Sequence, residues 1–280
     1  MAIFHGQLAL HATARPDDGV TTLSAQSVRA PFHLSKPYWD ADTRTLLVQV
    51  VNPTAGILSG DLLESAVSVY AGASVLLTTP SATRVFRMRS EAPPASSFQC
   101  FKVAPGGWLE VLPEPLVPHR GSRFQQRTVL DVASGGGVFY ADLLFPGRIA
   151  HGEAWAWERL VLELEVRSGP ELFLRERLDQ SADHLRSLAA LAGAGEGASF
   201  GNAVFIAPES VVDTAPTWRA QLHALQAGGV WIGASQLRGG AGWSIKFVAP
   251  DGIRLRQTLA AIRRILASSA PHLACDARKL

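Results

Sequence analysis

From Thr21 to about Arg177 the chain alternates short apolar runs with turn residues, among them Asn52-Pro53, Gly60-Asp61, Pro93-Pro94, Pro105-Gly106-Gly107, Gly135-Gly136-Gly137 and Gly169-Pro170. Runs of strand length closed by Gly and Pro predict a mainly β fold built in layers. Val67-Ser68-Val69 and Trp155-Ala156-Trp157 alternate with a period of two, as a strand with one buried face does. Leu46-Leu47-Val48-Gln49-Val50-Val51 and Val75-Leu76-Leu77 are nearly continuous, which predicts strands buried on both faces within stacked sheets.

The last third changes period. Trp218, Leu222 and Leu225 fall at helical spacing after Pro216, and Gly228-Gly229 supplies a stop. Leu255, Leu259, Ile262 and Leu266 form one stripe with Arg256, Arg263 and Arg264 largely off it, predicting an amphipathic helix that packs on a sheet and ends before Pro271. The stretch from Leu188 to Phe200 reads equally as a helix end or a loop. With no linker and no internal repeat in view, the expectation is one domain over residues 1–280.

Composition narrows the function classes. Apolar residues make up 47% and charged ones 18%, far from the balance that keeps chains disordered. A formal net charge of +2 with no dense basic run gives no reason to expect nucleic-acid binding. Lysine occurs only at Lys36, Lys102, Lys246 and Lys279, so arginine carries most of the positive charge, a bias that genome composition explains first. The two cysteines, Cys100 and Cys275, stand far apart without a CxxC. That predicts neither a disulfide framework nor a structural zinc site, and fits a reducing cytoplasm. Met1 to Leu10 shows no secretory pattern, and no apolar stretch is long enough to span a bilayer.

Familiar catalytic signatures are missing. No Lys follows a Gly, so a P-loop is excluded, and there is neither a GxSxG elbow nor an HExxH helix. Ser134-Gly135-Gly136-Gly137 reads as a hairpin turn rather than a phosphate cradle. The pairs His151 with Glu153 and His272 with Cys275 could touch a metal, but satisfied or surface polar groups account for them better. Asp61 and Glu64 follow a Gly turn and could flank a polar cavity, serving cation binding or acid and base catalysis. A β-rich hydrolase acting on carbohydrate through Asp61, Glu64 or Glu153 is therefore the alternative reading.

Residues 51–62, VNPTAGILSGDL, resemble the most characteristic block of the UreD (UreH) family of urease accessory proteins, and residues 77–88, LTTPSATRVFRM, resemble its next block. Further similarities follow in order at 108–118 (WLEVLPEPLVP), 147–153 (GRIAHGE), 175–178 (RERL) and 274–278 (ACDAR), with Ser59 and Ser81 where the family often has glycine. The resemblance implies a β-dominated fold of stacked or helically arranged sheets with a small helical portion. It implies no catalysis and no tightly bound cofactor, but transient passage of Ni2+ to the urease active site. The partners it implies are the urease apoprotein, UreF and, through UreF, the GTPase UreG. By motif position it marks Asp61, Glu64, Asp142 and Glu176 as acids of a nickel conduit, oxygen donors that would hold the ion loosely where imidazole or thiolate would trap it.

Overall fold

The computed structural model describes residues 4–207 and 215–277. An antiparallel pair, β1 (His5–Ala14) and β2 (Thr21–Arg29), opens the chain, and β3 (Thr45–Val51) follows. Three two-strand turns come next: β4 (Leu62–Val69) to β5 (Ser74–Thr78), β6 (Ala95–Val103) to β7 (Trp108–Leu112), and β8 (Arg123–Val132) to β9 (Gly137–Leu144). The remainder comprises β10 (Arg159–Ser168), β11 (Glu171–Gln180), α1 (Ala182–Leu191), β12 (Ser199–Ile206), α2 (Ala215–Ala224), β13 (Trp231–Gln236), β14 (Trp243–Ala249) and α3 (Gly252–Leu266).

These strands form two large sheets, ordered β11-β10-β8-β6-β4-β1-β2 and β13-β14-β12-β9-β7-β5-β3, the second extended by short strands. The fold is thus β-dominated and layered, as expected. Within each three-turn block, strands of one sheet run parallel, β4 beside β6 beside β8 in the first and β5 beside β7 beside β9 in the second. Each turn of chain therefore lays one strand in each sheet and then climbs, which is a coil with an internal repeat. Strand lengths and spacings vary enough to hide that repeat in the sequence.

Ser134-Gly135-Gly136-Gly137 is not a hairpin turn, because it carries the chain from β8 in one sheet to β9 in the other. It stacks on two equivalent corners. Gly72, Gly106 and Gly135 all take φ between +70° and +79°, and Gly72 N donates to Gly106 O as Gly106 N donates to Gly135 O. A side chain at Gly136 would meet Ala104 O at 2.9 Å, so close backbone stacking requires glycine there.

Between the sheets, Val67, Phe101, Leu130 and Val166 of the first meet Val75, Leu109 and Val138 of the second. The second sheet is buried on its outer face too, as its continuous apolar runs predict. There α3 lays Leu255, Leu259, Ile262 and Leu266 against Phe139, Phe205, Ile245 and Phe247. Asp251 caps α3 by accepting from Arg254 N at 2.8 Å. Arg263, on the same helix, donates 3.1 Å to the wholly buried Glu110 and 3.0 Å to Cys275 O, tying the C-terminal segment to β7. Burial pushes the Glu110 carboxyl upward while Arg263 opposes the shift.

Several local expectations are corrected. β12, β13 and β14 occupy part of the last third, so that region is not simply helical. Trp155 and Trp157 are buried but lie outside any strand, with Trp155 at φ +54°. The stretch after Leu188 is a helix end, since α1 runs to Leu191, then a loop. Among the described residues no helix is long and apolar enough to cross a membrane.

Candidate functional site

A cavity of about 730 Å3 lies between the sheets and touches strands along their whole width, from Leu8 and Val50 to Ile232 and Lys246. Its lining reaches exposed residues at Trp231, Gly233 and Lys246 on β13 and β14, at Pro80-Ser81 on the loop after β5, and at Ala55 and Arg84. Strand parity explains the polar side chains in its mainly apolar wall. Ser65 on β4, Ser97 and Gln99 on β6, and Gln126 on β8 all share the inward face with buried apolar residues two or four positions further along. In the first sheet Gln126 is registered with Ser97, and Thr128 with Gln99.

Asp142 projects into this space from β9. Tyr140 Oη donates to its Oδ2, and Gln126 Nε2 donates across from the other sheet to Oδ1 at 3.4 Å. Asp142 is half-buried and lines the cavity. Burial accordingly raises its carboxyl to about 6, against the lowering effect of the Tyr140 and Gln126 hydrogen bonds. The Tyr140 hydroxyl is pushed well above its ordinary value by burial and by the neighbouring carboxylate.

Glu176 stands at the edge of the same space. Lys246 Nζ donates to its Oε2 at 2.7 Å, Asn202 Nδ2 to the same oxygen at 3.3 Å, and Ser244 Oγ to Oε1 at 3.3 Å. Asn202 and Lys246 line the cavity, and Asn202 is the register partner of Asp142. Among the described residues neither acid pairs with a neighbouring arginine as a strand-end acid would. Arg148 takes Glu153 and Arg177 takes Glu163 and Asp179.

The other two sequence-marked acids lie off the lining. Asp61 is 3% exposed, and its carboxylate accepts from Phe4 N at 3.1 Å and Leu58 N at 2.8 Å, which fastens the loop carrying Gly56 and Ile57 of the cavity wall. Glu64 faces outward from β4, where Gln7 and His5 bond its carboxylate and hold its pKa down. Asp61, Glu64 and Glu153 do not meet at the cavity, so the paired-carboxylate hydrolase finds no shared pocket among the described residues. His151 sits on a 3-10 turn while Glu153 pairs with Arg148 at 2.8 Å. His272 stacks on Trp108 with Nδ1 3.1 Å from Thr43 O, and burial raises the Cys275 thiol to about 12; both serve the packing of the tail. Among the described residues no group of three or more His, Cys, Asp or Glu is placed to hold a metal ion. Tyr140, Gln126, Asn202 and Lys246 were not singled out from the sequence. Tyr140, two positions from Asp142, was within reach of the parity rule, whereas the others needed the pairing of distant strands.

A coil of two stacked sheets, backed by helices and enclosing a largely apolar cavity with polar side chains set into its wall, defines a layered β protein. The UreD urease accessory protein model matches residues 5–278, and the chain belongs to that family. It is 57% identical over 277 residues to the urease accessory protein UreD of Opitutus terrae, with 99% of each chain covered. Deinococcus radiodurans has a relative of the same description, 32% identical over 81% of each chain. That of Herpetosiphon aurantiacus is 29% identical over 95% of this chain and 88% of its own. The tail motif noted in the sequence ends at Arg278, which lies outside the described residues.

Proposed function

We propose that this chain is a nonenzymatic scaffold of urease maturation in the cytosol, joining the urease apoprotein to UreF and UreG and letting Ni2+ pass through the cavity between its sheets. The observation that carries this reading is a cavity spanning the sandwich, mainly apolar in its walls, with Asp142 and a few other oxygen donors set into it. Its oxygen donors are strung out singly, and carboxylate, amide and hydroxyl oxygens release a divalent ion of nickel's rank far more readily than clustered imidazole or thiolate would. Of the four acids first marked, Asp142 then serves as a way station and Glu176 stands at the edge. Asp61 shapes the wall, and Glu64 takes no part in passage.

Co-expression with urease subunits and accessory proteins tests the reading. Tagged wild-type protein is expected to bring down urease and UreF, and Asp142→Asn to keep that assembly while lowering the nickel content of purified urease. Nickel at the wild-type level with Asp142→Asn defeats the conduit, and a wild-type bait that captures neither partner defeats the scaffold.

A further inference from the structure

The edge of the cavity holds a cation already. Lys246 Nζ lies 2.7 Å from Glu176 Oε2 and 3.4 Å from Asn202 Oδ1, so one ammonium is shared by a carboxylate of the first sheet and an amide oxygen of the second. The carboxylate is aimed by further donors, Asn202 Nδ2 on Oε2 and Ser244 Oγ on Oε1. Both oxygens that face the ammonium are hard donors suited to a partly hydrated divalent ion.

We propose that Glu176 and Asn202 form an entry site for a divalent cation, and that Lys246 is its tethered occupant, displaced when cargo arrives. The inference rests on the conduit reading, to which it adds a competitor. Three features favour displacement. The Lys246 side chain is 59% exposed while that of Glu176 is only 22% exposed, so the ammonium can move to water and leave a sheltered carboxylate behind. Its register partner on the edge strand is Gly233, where an added Cβ would meet nothing within 4 Å, which leaves open space beside the lysine stem. Asn202 is paired in register with both Lys246 and Asp142, so an ion released from the edge has the next carboxylate two strands inward. A resident single charge also sets a threshold, since a monovalent ion gains little by replacing it whereas a divalent one gains about twice the attraction to Glu176.

Nickel titration of the full-length protein by isothermal titration calorimetry tests this without any urease present. Lys246→Met is expected to tighten Ni2+ binding by about tenfold, the low end of what removing a neighbouring charge does to an ionic equilibrium. Adding Glu176→Gln should return affinity to the wild-type level. Lys246→Gln serves as a second variant, and thermal melting confirms that each folds. Unchanged or weaker binding in both lysine variants overturns the proposal, as does a gain that survives Glu176→Gln. Tighter binding together with normal charging of urease by Asp142→Asn would keep the entry site while removing the conduit beyond it.

Discussion

The two ends of the same inward-facing strands behave differently. Near the glycine corners Val67 and Val69, Phe101 and Val103, and Leu130 and Val132 cluster with Val75, Leu109 and Val138, and of these Phe101 alone also touches the cavity. At the opposite end the same strands present Ser65, Ser97 and Gln126 beside Leu63 and Phe124, and the facing strands bring Leu77, Asp142 and Leu144 to the cavity. Chain direction links the two. Strands of the first sheet run toward the corner and those of the second run away from it, so the polar residues come early in the one and late in the other. The dry end holds the sheets at a fixed separation, and the wet end inherits that separation without filling it. A cavity kept open by packing elsewhere is the physical content of the proposed conduit.

Leu130→Ala tests this division hardest. Leu130 is fully buried in register with Phe101 and Val166, and its truncation should cost about 3 kcal/mol by chemical denaturation. Gln126→Ala, four residues earlier on the same face, should cost about 1 kcal/mol, because its hydrogen bonds to Asp142, at 3.4 Å, and to Tyr140 are lost beside a cavity that water can enter. Equal losses would mean that the wet end bears the fold as much as the dry end does.

Asp142 gives the next largest effect, with the opposite sign. Its carboxyl lies near 6 in the folded protein against 3.8 ordinarily, mainly through burial. The folded state therefore holds this proton more tightly than the unfolded chain. Stability from the group is complete below about pH 3.8 and is lost as pH rises through 6. Asp142→Asn should thus stabilise by roughly 3 kcal/mol at most at pH 7.5 and gain little at pH 4. Glu110 shifts in the same direction, so the difference between variant and wild type, rather than either curve alone, isolates Asp142.

At the dry end, Gly106→Ala probes the corner ladder. A side chain at φ +70° should cost about 1 kcal/mol in a melt, although an added Cβ approaches nothing nearer than Gly72 N at 3.9 Å.

Legibility followed the range of the interactions. The α3 stripe and the doubly buried runs at Leu46-Leu47-Val48 and Val75-Leu76-Leu77 were plain, because local period alone decides which face is apolar. The C-terminal strands escaped because α2 and α3, with their stronger periodicity, surround them. The coil escaped because its corners share only a glycine at positive φ, which many turns need. Candidate acids were marked by motif, but a motif does not tell which carboxylate faces inward. Lys246 was invisible, since its partner Glu176 is 70 residues away and belongs to the other sheet.

Glu64 offers the finest test, because it differs from the cavity residues by parity alone. Ser65 points between the sheets, and Glu64, one position earlier, points out, its side chain 41% exposed beside His5. A carboxylate so exposed is well screened, and its bonds to Gln7 and His5 add little stability. Glu64→Gln should be indistinguishable from wild type in denaturation and should leave urease nickel content intact, measured beside Asp142→Asn in the same co-expression. A drop in nickel with assembly preserved would show that cargo travels over the outer face of the first sheet, and the contrast between wet and dry ends would then have no bearing on delivery.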